Sequence, residues 1–191
     1  EEYQVSIGQC LDDDIKLPAV YEGKPVTAIP EGGFDNSGSL STITISESIS
    51  SIAPNAFEHS PNLVSITVHP DNPYYISQDG TLYKVSEEGA VLIRYCPGRL
   101  DTCFAVPDKV YAIGEELTVI EVIQGAFNDC KDLLMIVIPR GVSTMSGPLV
   151  NENVKKAVFV SEAPSRPELV LRPSDGDAVA MAEIVRARLR S

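Results

Sequence analysis

The sequence predicts a β-rich solenoid, a right-handed coil of about 23-residue repeats, with a β-meander inserted in its middle and a helix at its C-terminus. Three observations predict it. Apolar residues recur at a fixed spacing, turn signals interrupt this recurrence in the middle of the chain, and an amphipathic pattern follows the last repeat. Because units this short cannot bury an apolar side alone, they must stack and share one core.

Five apolar positions carry the repeat. Ile29, Phe34, Leu40, Ile43 and Ile45 reappear 23 residues later as Ile52, Phe57, Leu63, Ile66 and Val68, and again as Val122, Phe127, Leu133, Ile136 and Ile138. Ile43 and Ile45 alternate with Thr42 and Thr44, which predicts a strand with one buried and one solvent face. Each phenylalanine follows a small residue, so we expect its ring to fill the interior of its coil.

Turn signals predict a β-meander that widens one side of the solenoid. Asp79-Gly80 is typical of a two-residue hairpin turn, because both of its residues tolerate positive φ. A second turn, Glu88-Gly89, follows. The tyrosines around these turns form either an exposed recognition patch or, as we expect for most of them, a cover over the meander's own core. They are Tyr74, Tyr75, Tyr83 and Tyr95.

These patterns divide the chain into a solenoid over residues 1–161 and a linker with a terminal helix over residues 162–191. The solenoid comprises an entry coil (1–25), regular coils (26–70), irregular meander coils (71–118) and later coils (119–161). In the terminal segment, apolar residues fall on one helical face: Met181, Ile184, Val185 and Leu189. We expect this amphipathic helix to cap the last coil over Val158 and Val160. A partner-binding helix and the start of a further domain are the alternatives.

Charge and length exclude several partners. With 27 acidic and 15 basic side chains the net charge is −12, which disfavours binding to nucleic acid or to an anionic membrane surface. The longest unbroken apolar run, residues 133–138, is far short of the roughly 20 residues that cross a bilayer. We therefore expect no membrane insertion. The chain starts at Glu1 without a charged and then apolar leader, as a processed or excised piece would.

Residue types that carry chemistry are few and scattered. The cysteines, Cys10, Cys96, Cys103 and Cys130, contain no Cys-x-x-Cys pair, so we expect buried thiols, with a Cys96–Cys103 disulfide as the alternative. Asp12 to Asp14 resemble a solvated loop; a cation site there would lack the glycine turn of a calcium loop. His59 and His69 are expected at the surface, and no catalytic motif accompanies them. We predict no enzymatic activity, no cofactor and no metal site.

Residues 52–68 and 122–139, with their Ala-Phe pairs, spaced leucines and alternating strands, resemble the BspA-like leucine-rich repeats of bacterial surface proteins. Segments 17–29, 72–83 and 92–98 are also similar to that family, so the resemblance covers roughly residues 3–160. It implies a leucine-rich-repeat solenoid. It also implies an extracellular or cell-surface location, and binding to a protein partner such as a host or extracellular-matrix protein.

The outward side chains of the predicted strands are the candidate binding surface. They are Thr42, Thr44, Ser65, Thr67, Met135, Val137 and Phe159. This surface becomes more apolar toward the C-terminus, and we predict that a protein partner docks there. A passive spacer within a larger surface protein is the alternative function. A carbohydrate-binding role is a third, against which the absence of tryptophan counts.

Overall fold

The computed structural model describes residues 2–112, 114–146 and 154–160, which form sixteen short strands. The strands are β1 (Tyr3–Gln4), β2 (Asp14–Lys16), β3 (Val20–Tyr21), β4 (Lys24–Ile29), β5 (Thr42–Ile45), β6 (Ser51–Ile52), β7 (Ser65–Val68), β8 (Tyr75–Gln78), β9 (Thr81–Val85), β10 (Ala90–Arg94), β11 (Cys103–Ala105), β12 (Lys109–Ala112), β13 (Glu115–Val122), β14 (Met135–Ile138), β15 (Thr144–Met145) and β16 (Lys156–Phe159). Within these ranges no helix is long and apolar enough to span a membrane. The predicted terminal helix lies outside the described residues.

Parallel pairing confirms that the repeat is a stack of coils. Strands β2, β5 and β7 form one parallel sheet, in which Ile43 pairs with Ile66 and each residue of β5 meets the residue 23 positions later. Strands β1, β4 and β6 form a second parallel wall, where Ile29 pairs with Ile52 at the same spacing. One repeat is therefore one coil, and the recurring apolar spacing places Ile43 and Ile66 in the core, where each is at most 1% exposed.

A column of aromatic rings fills the coils at the turn after the second wall. Phe34 and Phe57 stack with ring centroids 5.8 Å apart, and the Phe34 N–H donates to the Ala56 carbonyl at 2.8 Å. In the irregular coil the Tyr95 N–H donates in the same way to the Ala126 carbonyl, and the Tyr95 ring lies 5.7 Å from the ring of Phe127. The predicted interior position of the phenylalanines is confirmed. Tyr95 takes their place where the repeat is irregular.

The predicted meander is present. Strands β8 and β9 pair antiparallel around Asp79 and Gly80, whose φ angles are 50° and 74°, and β9 pairs antiparallel with β10. The order in this sheet is β12, β13, β10, β9, β8, with β15 beside β13. Its tyrosines cover the core, because Tyr75, Tyr83 and Tyr95 are at most 3% exposed while Tyr74 is about half-exposed. The alternative of a tyrosine recognition patch is therefore wrong.

The hairpin β8–β9 joins two separate core clusters. The first core cluster surrounds Ile43 and Leu63, and the second surrounds Leu133 and Ile136. Side chains alternate along the hairpin, so that Tyr75 and Leu82 enter the first cluster while Ile76 and Tyr83 enter the second. The meander is thus the wall that the two halves of the solenoid share.

The cysteines do not form the alternative disulfide. All four lie in the described ranges, and each is a thiol. Cys96 and Cys130 are buried as expected, and burial raises the pKa of each thiol to about 12. Cys103 is half-buried and Cys10 is exposed, so the expectation of a buried thiol is wrong for Cys10.

Candidate protein-binding surface

The outer strand face consists of the side chains that alternate with core residues on the parallel strands β2, β5, β7, β11, β14 and β16. In its first half these side chains are polar and stand in rows across the strands. One row runs through Asp14, Thr42 and Ser65, and the other through Lys16, Thr44 and Thr67. All six are half-buried or exposed, and the Thr42 hydroxyl donates to Asp14 Oδ1 at 2.6 Å. This polar half places the four predicted hydroxyl residues together.

The tip of the β8–β9 hairpin ends the polar half. The Ile66 N–H donates to the Gly80 carbonyl at 3.0 Å, and the Val68 N–H donates to Ser77 Oγ at 2.9 Å, on the edge of β7 that faces away from β5. A Cβ at Gly80 would lie 3.0 Å from Ser65 Oγ. Arg99 holds the tip by donating to the Asp79 carbonyl. The hairpin therefore takes the place of a further strand, and the outer strand face is divided in two.

The second half of the outer strand face is apolar and closed. Met135 pairs with Cys103 and Lys156, and Val137 pairs with Val158. Met135, Val137 and Val158 form an outer cluster in which each side chain is 3–4% exposed, with Cys103 and Val160 packed against it. The expectation that Met135 and Val137 form an open patch is wrong, because both side chains are almost completely buried.

Phe159 lies on the opposite side of its strand from the predicted one. It pairs with Ile138, a residue of the second core cluster, and 46% of it is exposed. Val158 points outward in its place. The apolar character of Val158 suggested an interior position, but Val158 pairs with Val137, and partners on neighbouring parallel strands face the same side of the sheet.

The remaining candidate groups have structural partners. Asp14 accepts the hydrogen bond from Thr42, and the Cys10 thiol lies 3.4 Å from Asp12 Oδ2. Among the described residues no group of three histidine, cysteine or acidic side chains could hold a metal ion. The cation alternative at Asp12 to Asp14 therefore has no geometric support.

The two histidines lie at the surface, as predicted, with side chains 62% and 42% exposed for His59 and His69. His59 Nδ1 is 2.9 Å from Asp35 Oδ1, and this hydrogen bond and the charge of Asp35 raise the pKa of the imidazole above its ordinary value. His59 also lies in a turn with a φ of 50°. Its contacts join neighbouring coils, since Asp35 belongs to the preceding one.

The pattern of these coils matches a known family. Residues 7–84 match the BspA type leucine rich repeat region, in six copies. This part of the chain, 78 of the 191 residues, is similar to BspA-type leucine-rich repeats. The family resemblance inferred from the Ala-Phe pairs and spaced leucines is thereby confirmed. No curated protein gives a significant match.

Solved structures share the fold. A leucine rich cell surface protein from Faecalibacterium prausnitzii A2-165 is 24% identical with a TM-score of 0.50, over 73% of this chain and 39% of its own. The pneumococcal vaccine antigen PcpA is 18% identical with a TM-score of 0.56, over 78% and 40%. A leucine-rich repeat protein from Eubacterium ventriosum ATCC 27560 is 26% identical with a TM-score of 0.51, over 70% and 38%. The aligned part is thus less than half of each relative.

Proposed function

We propose that this chain is a non-catalytic protein-binding module of a secreted or surface-attached bacterial protein, and that it binds through the polar half of its outer strand face. The observation that carries the proposal is the pairing register of strands β5 and β7. Thr42 pairs with Ser65 and Thr44 pairs with Thr67, so four hydroxyl groups stand in two rows on a rigid parallel sheet.

This arrangement fits a protein ligand. The inward neighbours of the hydroxyl residues, Ile43 and Ile66, are buried, so the strands that carry the hydroxyls are fixed by the core. Neighbouring strands lie about 4.8 Å apart, and each hydroxyl can both donate and accept a hydrogen bond. Asp14 and Lys16 extend the two rows with opposite charges. A partner surface with peptide groups and both signs of charge would be complementary.

The surface location rests on the relatives. One of the solved structures is a cell surface protein and another is a vaccine antigen, and both share this fold. A host or extracellular-matrix protein is therefore the class of partner that we propose. Of the other predicted contact residues, Phe159 offers a half-exposed ring at the last described strand. Met135 and Val137 would take part only where the outer cluster opens.

A passive spacer is the competing proposal. The chain covers only 38–40% of the length of the solved relatives, and stacked coils can hold another module away from a cell surface without a ligand of their own. A spacer needs no ordered hydroxyl rows, so the strand-face variants below distinguish the two functions.

The test is a binding screen of the purified chain against extracellular-matrix and plasma proteins. The variant Thr44→Arg with Thr67→Arg fills the polar half with bulky side chains. Its matched control, Ser51→Arg with Thr144→Arg, adds the same charges to exposed positions on β6 and β15. We expect saturable binding that weakens at least about tenfold in the strand-face variant alone. Binding to none of the proteins would favour the spacer, and equal losses in both variants would exclude the strand face.

We also propose that the coil is right-handed, because connections between parallel strands of one sheet are right-handed in nearly all proteins. The solenoid is proposed to end near residue 161, where the linker and helix of residues 162–191 begin. Limited proteolysis is expected to cut first within residues 162–173 and to leave a resistant solenoid fragment. A first cut inside the coils would move this boundary.

A further inference from the structure

The outer strand face differs in burial between its halves, although the side chains point the same way. In the polar half, Thr67 is exposed and Thr44 is half-buried. In the apolar half, Met135, Val137 and Val158 are 3–4% exposed. The described residues that pack against them are Cys103 and Val160, which lie at the margins of the same sheet. Three outward side chains this deeply buried require a covering layer above the sheet.

The chain itself leads from this surface. The Val160 N–H donates to the Ile138 carbonyl at 3.0 Å, and its side chain packs against the outer cluster. The residues that follow therefore begin at the edge of the apolar half. Thirteen residues, 161–173, reach at most about 45 Å when extended, whereas a three-stranded sheet is only about 10 Å wide. Length therefore does not limit where the terminal segment can lie.

The terminal segment has the complementary pattern. Its apolar residues, Met181, Ile184, Val185 and Leu189, would share one face of a helix. Arg186, Arg188 and Arg190 end the segment, in a chain whose net charge is −12. An apolar stripe with a basic end suits a small apolar surface on an acidic solenoid.

We propose that residues 174–191 dock through this apolar stripe onto the outer cluster, across β11, β14 and β16. The apolar half of the outer strand face is then occupied by the chain's own terminus, and the polar half is the part left for a partner. A partner that extends onto the apolar half must displace the terminal segment. This contact differs from a cap over the end of the stack, and it does not depend on the proposed binding function.

The native cysteines report on this contact in the full chain. Cys103 packs at the rim of the outer cluster, Cys10 is exposed, and Cys96 and Cys130 are buried in the interior. Maleimide labelling of each thiol, followed by peptide mass spectrometry, therefore separates uncovering of the outer face from unfolding. The test variant is Met181→Asp with Ile184→Asp. The matched control is Ala180→Asp with Ala187→Asp, which adds the same charge away from the apolar stripe.

We expect Cys103 to label about tenfold faster relative to Cys10 in the test variant, with the buried thiols and the control variant unchanged. Equal rates for Cys103 in wild type and the test variant would overturn the proposal. Labelling of Cys96 and Cys130 together with Cys103 would mean that the variant unfolds the coils instead of uncovering the outer face, and would also overturn the proposal.

A second measurement leaves the terminal segment intact. Lys156 lies in register with Met135 on the outer face, so Lys156→p-benzoylphenylalanine places a photo-cross-linker beside the outer cluster. We expect the cross-linked peptide to fall within residues 174–191. Cross-links confined to other parts of the chain would contradict the docking.

Discussion

Arg94 shows how a single side chain holds the two halves of the solenoid together. It is 3% exposed, and its guanidinium donates to the carbonyls of Phe57 and Gly125, each at 3.1 Å, and to Asp129 Oδ2 at 3.2 Å. Asp129 also accepts from the His59 N–H at 2.9 Å. One buried charge thus joins the turn after Phe57 to the turn before Phe127, across the inserted meander.

Replacing this arginine should destabilise the fold. Arg94→Met removes three hydrogen bonds and leaves the carboxylate of Asp129 without its paired charge, so we expect the free energy of unfolding to fall by about 2–3 kcal/mol. Urea denaturation measures the change. The control, Lys84→Met, removes the same charge from an exposed position of β9 and should change stability by less than about 0.5 kcal/mol. Similar stabilities for the two variants would show that Arg94 does not stabilise the contact between the two halves of the solenoid.

Three turn residues of the coils adopt left-handed backbone conformations. Asn36, His59 and Asp129 each lie two positions after a core phenylalanine and have φ angles of 56°, 50° and 64°. These residue types are the non-glycine ones that tolerate this region best. Such a residue recurs two positions after each core phenylalanine in the sequence. This recurrence predicts a tight turn at each of the three sites.

At the scale of elements, the Pro97-Gly98 turn is fitted against the preceding regular coil. The Gly98 N–H donates to the Leu63 carbonyl at 2.8 Å, and a Cβ on Gly98 would lie 2.7 Å from the backbone carbon and oxygen of Asn62. Since backbone atoms cannot give way as a flexible side chain can, only glycine allows this approach. The turn therefore sets the distance between the irregular coil and its neighbour.

Gly98→Ala should consequently cost about 1–3 kcal/mol of unfolding free energy, because the added methyl group forces two packed segments apart. Thermal and urea denaturation both test this. Gly38→Ala provides a matched control, since a Cβ at Gly38 meets no atom within 4 Å, and a methyl group there should be neutral or slightly stabilising. If both alanine variants keep wild-type stability, the close approach at Gly98 does not limit the packing.

At the scale of the whole molecule, the shared hairpin makes the two core clusters one folding unit. Tyr75 and Leu82 fill the first cluster from one side of the hairpin, and Ile76 and Tyr83 fill the second from the other. Neither half can lose its packing without exposing the hairpin to the solvent. Coils that contact only their neighbours are otherwise able to unfold piecewise.

We expect one cooperative unfolding transition. A destabilising substitution in either half should lower the free energy of unfolding of the whole molecule by a similar amount. Leu63→Ala in the first cluster and Leu133→Ala in the second, at positions that are 0% and 1% exposed, should each lower the free energy of unfolding by about 3 kcal/mol. Calorimetry and hydrogen exchange measure the transition. Leu100→Ala, at an 83% exposed position, serves as the control and should have little effect. Two separate transitions, with only one shifted in each variant, would mean that the halves unfold independently.

The sequence by itself determined the local and the periodic features. The recurrence of Ile43, Phe57 and their equivalents predicted the coils, because a period of two within a longer repeat leaves few ways to bury one face. Asp79-Gly80 predicted the hairpin, because the positive φ angles of its turn are a property of those two residues alone. The polar half of the outer strand face followed from the same alternation, at Thr42 and Thr67.

Only the tertiary structure decided what happens where the period fails. Three features depend on residues about 30 to 40 positions away in the chain: Tyr95 takes the place of a phenylalanine, Arg94 binds Phe57 and Gly125, and Met135 pairs with Cys103. Such contacts leave no local spacing to read, because the inserted meander changes the length of the connection without changing the stack. The sequence period thus determined the regular coils. The tertiary structure determined which strands the inserted meander brings together, and with them which half of the outer strand face is polar and which is apolar.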